Sequence, residues 1–246
     1  MILFFLGSSH SYRGFDTRIF KKSNFKTFNL GTSSQTLIQS EYLFNKYVLK
    51  INPKILVLEI NPLIFSLDGL ESSLDLINSN IVDSELFKIG IKHRNAKAIN
   101  SIIFSSLCRV LLPKKKNILK WQDDKYIKGG YVEKKMAFLK VYKIKNQILK
   151  VNKNQSLAFN RFLMKISKTH IKLILVQAPI SRVLYDSYKG NYKFDSLMKT
   201  KGMYYNFNYC NGLNLIDTLH FYDMDHMNQE GVNIFNKYFI KSLFKS

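Results

Sequence analysis

The chain has 246 residues, of which 46% are hydrophobic and 14% aromatic, which excludes global disorder and predicts one large domain with a sizeable core. Its formal net charge of +21 comes from scattered basic residues, and the densest lysine run, Lys114–Lys116, is only three residues long. We therefore interpret the charge as a solvated basic surface with no specific affinity for nucleic acid. The same charge predicts weak attraction to an anionic membrane surface or polymer.

No apolar run approaches the roughly 18 to 20 residues that a membrane span needs. The first apolar run, Ile2–Leu6, is too short for the core of a signal peptide, and no basic region precedes it. As written, the sequence predicts a cytoplasmic protein. A further segment upstream of Met1 would change that expectation to an extracytoplasmic one.

Short apolar segments alternate with helical patterns along the chain. The clearest helical patterns cover residues 33–50 and 228–243, where apolar positions recur at helical spacing. Near-continuous apolar strands between helices are typical of a parallel sheet covered on both faces. The sequence therefore predicts an α/β fold, a three-layer α/β/α sandwich with about five parallel strands. The predicted strands are Ile2–Leu6, Thr27–Leu30, Ile55–Ile60, Lys172–Gln177 and Leu213–Ile216.

Residues 66–170 contain no convincing strand and are mostly helical in pattern. We interpret this interval as an insertion within a single domain that spans residues 1–246, and "KGGY" at 128–131 predicts a turn inside it. An apolar stripe at helical spacing is expected to pack on the core, the alternative being a helix on a membrane surface. Its members are Ile99, Ile102, Ile103, Leu107, Val110 and Leu111.

Small and polar residues stand where four of the predicted strands end. Gly7–Ser9 follows the first strand, Gly31 the second and Asn61 the third, while Asp223 and His226 lie between the fifth strand and the last helix. The carboxyl ends of parallel strands meet at one edge of the sheet, where open α/β proteins bind their ligands. We therefore expect these side chains to converge.

These residue types are those of acyl-ester chemistry. A serine hydroxyl is a weak nucleophile until a histidine accepts its proton, and the histidine needs a carboxylate that fixes its tautomer. The tetrahedral intermediate needs N–H donors, which a glycine turn and an asparagine amide can supply. No His, Cys or Asp cluster has metal-ligand spacing and no glycine-rich phosphate loop is present, so we expect neither a metal nor a cofactor.

Four short blocks of the sequence, "GSS", "NLG", "LEIN" and "DMDHMNQEG", resemble in order the four conserved blocks of the SGNH/GDSL hydrolase superfamily. The wider segments "GSSHSYRGFD", "NLGTSSQT" and "HMNQEGVNIF" look closest to the branch related to alginate O-acetylation and lipoteichoic acid D-alanylation proteins. The resemblance implies a flavodoxin-like sheet of the SGNH-hydrolase type and a serine-dependent esterase or O-acyltransferase. The catalytic residues that it implies are Ser9, His226 and Asp223. The oxyanion hole that it implies consists of Ser9, Gly31 and Asn61.

Several alternatives stay open at the level of sequence. Ser8 is the alternative nucleophile and Asp225 the alternative carboxylate, while His10 is expected to be structural or substrate-facing, because neighbours on an extended segment point opposite ways. The expected substrate is a small acyl ester or an acylated saccharide, with water or a sugar hydroxyl as acyl acceptor. The rival function is an inactive protein of this fold that binds an anionic polymer or a membrane surface.

Overall fold

The computed structural model describes residues 1–79, 81–111, 124–140 and 143–244. Its strands are β1 (Ile2–Leu6), β2 (Lys26–Asn29), β3 (Ile55–Glu59), β4 (Asp124–Ile127), β5 (Tyr131–Lys134), β6 (Lys172–Gln177) and β7 (Tyr204–Asn206). Five of them form one sheet in the order β2-β1-β3-β6-β7, with every neighbouring pair parallel. The prediction of an α/β fold with a five-stranded parallel sheet is confirmed.

Helices connect the strands and cover both faces of the sheet. A π-helical turn, Phe44–Val48, continues the third helix, and a 3₁₀ turn, Leu63–Phe65, follows β3. The α-helices are α1 (Ser9–Gly14), α2 (Thr17–Lys22), α3 (Leu37–Leu43), α4 (Leu49–Ile51), α5 (Leu70–Ser79), α6 (Ser84–Lys92), α7 (Ala96–Leu111), α8 (Lys153–Ile166), α9 (Arg182–Ser187), α10 (Asn191–Lys199), α11 (Asp217–His220) and α12 (Gln229–Phe244).

The alternation of side chains along the strands divides the core into two layers. On one face, Phe5 and Val57 pack among buried aromatic residues from α2 and α12, such as Phe20 and Phe239. On the other face, Leu6 packs in a second cluster that α3, α5 and α8 complete. Both faces of the central strands are therefore buried, and the carboxyl edge of the sheet is where its polar groups collect.

The predicted fifth strand, Leu213–Ile216, is wrong. The fifth strand is β7, whose Tyr204–Asn206 pairs with Leu175–Gln177 of β6. Leu213 and Leu215 are partly buried against the core as an irregular segment, which explains their apolar pattern. The edge strand β7 is only half-buried, so its sequence carries a weaker apolar signal.

The insertion was predicted to contain no strand, but β4 and β5 form an antiparallel hairpin within it. The predicted turn at 128–131 lies at the tip of this hairpin, with Gly129 and Gly130 at φ +102 and +92. A Cβ on Gly130 would lie 2.1 Å from the Asn29 carbonyl oxygen, and Asn29 donates its backbone N–H to the Gly129 carbonyl at 2.7 Å. The hairpin therefore docks on the end of β2, beside the carboxyl edge of the sheet.

The apolar stripe of the insertion also departs from its prediction. Ile102 is buried, but Ile99, Ile103 and Leu107 are exposed. Of the four stripe members whose side chains the structure describes, only Ile102 lies on the face through which α7 packs. The side chains of Val110 and Leu111, and the run Lys114–Lys116, lie outside the described residues. Among the helices that the structure describes, none is long and apolar enough to cross a membrane.

Candidate active site

The first strand turns into α1 at a glycine that approaches β3 closely. Gly7 has φ +145, and a Cβ at this position would lie 2.7 Å from the Glu59 Cβ. Only glycine tolerates both the backbone conformation and this approach. The turn therefore places the two serines that follow directly above the end of the neighbouring strand.

Ser8 is occupied by structural contacts. Its Oγ donates to Glu59 Oε2 at 3.1 Å, and as the N-cap of α1 it accepts the backbone N–H of His10 at 3.4 Å. The side chain is buried. Ser8 therefore anchors the start of the helix, and the alternative that it is the nucleophile has no geometric support.

Ser9 is the first residue of α1, and it meets a side chain from the other end of the chain. Its Oγ lies 2.8 Å from His226 Nε2. The His226 ring is mostly buried and stacks nearly parallel to the Tyr222 ring, with the centroids 5.5 Å apart. The serine and the histidine thus lie at hydrogen-bond distance before any substrate has to bring them together.

The segment that carries His226 is a tight loop closed by its own aspartate. Asp223 Oδ1 accepts the backbone N–H groups of Asp225 and His226 at 2.8 and 2.7 Å. Both Asp223 carboxylate oxygens also lie 3.0 Å from His226 Nδ1. With the Nδ1 proton directed at Asp223, the Nε2 atom is left as an acceptor for the Ser9 hydroxyl.

Asp225, the alternative carboxylate, lies beside the imidazole of His10 and not that of His226. Its Oδ1 lies 3.7 Å from Nε2 of His10, a buried ring whose centroid is 5.3 Å from that of His226. Burial raises the pKa of Asp225, but the interaction of its carboxylate with the His10 imidazole outweighs burial and lowers the pKa. The structure thus separates the two aspartates: Asp223 contacts His226, and Asp225 faces His10.

His10 lies between two carboxylates. Burial lowers the pKa of its imidazole, but Asp225 and Glu59 outweigh burial and raise the pKa to about 10. Asn61 Nδ2 lies 3.0 Å from His10 Nδ1, where the amide donates when the ring is neutral. Contrary to the extended segment assumed from the sequence, His10 is on a helical turn, where its ring is buried beside Ser9.

Asn61 is part of a buried polar network at the end of β3. Its Nδ2 donates to Glu59 Oε1 at 3.1 Å, and its Oδ1 accepts the backbone N–H of Leu63 at 3.0 Å. Glu59 has no exposed surface, so its carboxylate depends on the donors Ser8 and Asn61. An oxyanion could accept a hydrogen bond from the Asn61 amide only by displacing Glu59 Oε1 or His10 Nδ1.

Gly31 lies against the turn after β1. A Cβ on Gly31 would be 3.1 Å from the carbonyl oxygens of Gly7 and Ser8, so the glycine allows the end of β2 to approach the nucleophile turn. Its N–H donates to Asn29 Oδ1 at 3.0 Å. Asn29 also accepts from Ser11 Oγ and donates to the Ser11 carbonyl, which ties α1 to β2.

A small cleft opens beside the serine–histidine pair. Arg13 lines the cleft and also contacts the insertion, where its Nη1 and Nη2 donate to Asp124 Oδ1 and Oδ2 at 3.2 and 2.7 Å. The hairpin of β4 and β5 thereby fixes the exposed side of α1. The residues that line the cleft are His10, Arg13, Gly14, Pro179, Asp225, His226 and Met227.

The structure brings Ser9, His226 and Asp223 into contact and places Gly31 and Asn61 around the same turn. Sequence reasoning missed Glu59, Asn29 and Asp124, which hold the other residues in place. Glu59 and Asn29 stand inside the blocks "LEIN" and "NLG", so their position was a usable signal. Asp124 belongs to the hairpin that was not predicted.

No family model matches this sequence, and a search of curated proteins finds no match. Solved structures do show similarity. A protein assigned to the lipolytic G-D-S-L family from Desulfitobacterium hafniense aligns over 98% of this chain and 99% of its own, with 11% identity and a TM-score of 0.46. A GDSL-like lipase from Bacteroides thetaiotaomicron aligns over 99% and 88%, with 12% identity and a TM-score of 0.46.

A third similar structure is a catalytic mutant of an acetylxylan esterase from Geobacillus stearothermophilus, which aligns over 99% of this chain and 94% of its own. Its identity is 10% and its TM-score 0.42. The names of the first two structures carry the G-D-S-L designation that the four sequence blocks resemble, and none of the three names identifies a branch. Because the TM-scores lie below 0.5, the chemistry proposed below depends on this chain's own residues.

Proposed function

We propose that this protein is a serine-dependent acyl-ester hydrolase of the SGNH/GDSL type, with Ser9, His226 and Asp223 as its catalytic triad. The observation that carries the proposal is the continuous contact from Ser9 Oγ to His226 Nε2 and from His226 Nδ1 to the Asp223 carboxylate. These three groups come from opposite ends of the chain. Their order of contact is the one that activates a serine hydroxyl.

The reaction proceeds in two halves. Ser9 Oγ attacks the carbonyl carbon of the ester while His226 Nε2 accepts the hydroxyl proton, and Asp223 stabilises the imidazolium that forms. Collapse of the tetrahedral intermediate expels the alcohol, which takes its proton from His226. A second hydroxyl compound then attacks the acyl-serine with His226 again as base, and Ser9 is released.

The tetrahedral oxygen needs donors near Ser9. We assign this role to the Ser9 backbone N–H at the start of α1, to the Gly31 N–H and to the Asn61 amide. The Gly31 N–H already donates to the amide oxygen of Asn29, and the Asn61 amide donates to the Glu59 carboxylate. The oxyanion must therefore displace a neutral oxygen from Gly31 and either a carboxylate oxygen or His10 Nδ1 from Asn61. Such donors typically contribute a factor of about 10²–10³ in rate each.

The acyl group and its acceptor are part of the same proposal. The substrate that we propose is a small acyl ester, of acetyl size, or an acylated saccharide that carries the same ester bond. Water as acceptor gives hydrolysis, and a sugar hydroxyl gives O-acyl transfer with the same three residues. Product analysis with an added sugar acceptor separates the two, because only transfer yields the acylated sugar.

Hydrolysis of an aryl acetate tests the nucleophile. We expect Ser9→Ala to lose activity by a factor on the order of 10⁴ or more while the protein stays folded. Ser33→Ala, a partly buried serine whose hydroxyl contacts Tyr12, is the matched control and should keep wild-type activity. Wild-type activity in Ser9→Ala together with its loss in Ser8→Ala would assign the nucleophile to Ser8.

A further inference from the structure

Helix α7 presents an apolar face to solvent. Ile99, Ile103 and Leu107 recur every four residues, so they form one stripe along the helix. They are 43%, 52% and 53% exposed, and Phe104 beside them is 68% exposed. Single exposed apolar residues are ordinary, but a cluster on one helix indicates a binding surface.

The orientation of α7 is fixed by its opposite face. Ala98 and Ile102 are buried, and Ser105 Oγ donates to the Ile77 carbonyl oxygen of α5 at 3.0 Å. A Cβ on Gly90 of α6 would lie 2.7 Å from the Ile102 side chain, so the two helices pack closely there. The helix cannot turn its stripe inward without breaking these contacts.

The neighbouring helix α6 adds two more exposed apolar side chains, Phe87 and Ile91, which are 44% and 43% exposed. We call the exposed apolar residues of the two helices the α6–α7 surface. Its members are Phe87, Ile91, Ile99, Ile103, Phe104 and Leu107.

Basic side chains accompany the α6–α7 surface. Lys88 and Lys92 are exposed on α6, Arg94 lies in the connection, and Lys97 is exposed in the first turn of α7. Between residues 84 and 97 the one acidic residue is Glu85. Exposed apolar residues combined with lysine and arginine are typical of helices that lie in the interface of an anionic membrane.

Charge also argues against a second copy of this chain as the occupant. Each copy carries a formal net charge of +21, and the surface itself is basic, so two copies would repel each other. An anionic bilayer reverses the sign of that interaction and offers an apolar layer to the exposed side chains. None of the described helices can span the bilayer, so the contact would be peripheral.

We propose that the α6–α7 surface binds the interface of an anionic lipid bilayer, with α7 parallel to the membrane plane and its apolar stripe at the level of the acyl chains. The proposal does not depend on the esterase function. It extends the general attraction expected from the net charge to one defined surface.

Flotation with lipid vesicles tests the proposal on the full chain. The wild type should bind vesicles of equal parts phosphatidylglycerol and phosphatidylcholine, and should not bind vesicles of phosphatidylcholine alone. Ile103→Ser/Phe104→Ser should lower the partition constant at least about tenfold, because it removes exposed apolar area that the bilayer would bury. Ile148→Ser/Tyr192→Ser, at side chains 80% and 83% exposed elsewhere, is the matched control and should bind like the wild type.

Charge reversal adds a second, independent comparison. Lys88→Glu/Lys92→Glu/Lys97→Glu should weaken binding more than Lys189→Glu/Lys193→Glu/Lys199→Glu, which changes the charge equally in the region of α9 and α10. All four variants alter exposed side chains, so we expect each to keep the stability of the wild type. Urea unfolding checks that they do.

Three results would overturn the proposal. The first is wild-type binding by Ile103→Ser/Phe104→Ser. The second is an equal loss in the two charge variants, which would indicate diffuse electrostatic attraction. The third is a concentration-dependent dimer that Ile103→Ser/Phe104→Ser abolishes without any vesicle binding by the wild type, which would make the surface a self-interface.

Discussion

The carboxyl edge of the sheet and the α6–α7 surface differ in how their side chains are covered: polar groups at the edge are hydrogen-bonded within the protein, and apolar groups on the surface are exposed to solvent. At the edge, the buried Glu59 carboxylate receives donors from Ser8 and Asn61, and His226 is held between Ser9 and Asp223. On α7, more than half of the Ile103 and Phe104 side chains is exposed to solvent.

This difference indicates where each region finds its partner. At the edge, hydrogen bonds within the protein hold Ser8, Glu59, Asn61 and the His226–Asp223 pair, so the position of Ser9 against His226 is fixed without a substrate. The α6–α7 surface leaves apolar area exposed, which is unfavourable unless something outside the protein covers it. We therefore propose catalysis for the first region and binding for the second, and variants can test the two proposals separately.

The two aspartates of the His226 loop provide the largest contrast within the edge. Asp223→Asn should lower kcat/KM for an aryl acetate by about 10²–10⁴, because the Nδ1 proton of His226 is then no longer held. Asp225→Asn should lower it less than about tenfold, since that carboxylate faces His10. Steady-state kinetics on both variants decides the matter, and the reverse order would transfer the role to Asp225.

Neighbouring isoleucines of α7 sharpen the contrast in packing. Ile102→Ala should lower the free energy of unfolding by about 2–4 kcal/mol, because the buried side chain leaves a cavity against α6. Ile103→Ala should change it by less than about 0.5 kcal/mol. Urea unfolding measures both, and equal losses would mean that the exposed stripe is packed in solution.

The smallest expected effect concerns the charge of His10. His10→Gln should lower the free energy of unfolding by about 1–3 kcal/mol, because Asp225 and Glu59 lose a charged partner. A raised pKa gives stability that is complete below the unfolded value of ~6.5 and is lost as the pH rises through about 10. The difference between wild type and variant should therefore shrink in urea unfolding from pH ~6 to ~10. A difference independent of pH would show a neutral ring bound to Asn61.

The site was more accessible from sequence than the insertion for a topological reason. Parallel strands bring their carboxyl ends together, so Ser9, Gly31 and Asn61 could be placed at one edge from their position after apolar strands alone. Distances could not be predicted, and neither could the division of roles between Ser8 as cap and Ser9 as histidine partner. That division depends on the helical turn that begins at Ser9.

The insertion was predicted less well because helical periodicity shows that apolar residues form a stripe but does not show whether the stripe faces the core or solvent. Ile99, Ile103 and Leu107 have the spacing of a core face, yet the packed face is the one with Ala98 and Ser105, which look less apolar in sequence. The failed strand Leu213–Ile216 has a similar cause, because burial alone makes a segment apolar whether or not it pairs with a sheet.

Labelling with a fluorophosphonate probe tests the central claim most directly, since a serine that a neighbouring base activates attacks the phosphorus, displaces fluoride and becomes phosphonylated. After reaction of the folded full chain and digestion, mass spectrometry should find one adduct, on Ser9. Ser8→Ala should still be labelled, and His226→Ala should react far more slowly. No adduct on the folded wild type would contradict the account and favour a protein that only binds, and an adduct on another serine would contradict the assignment of Ser9.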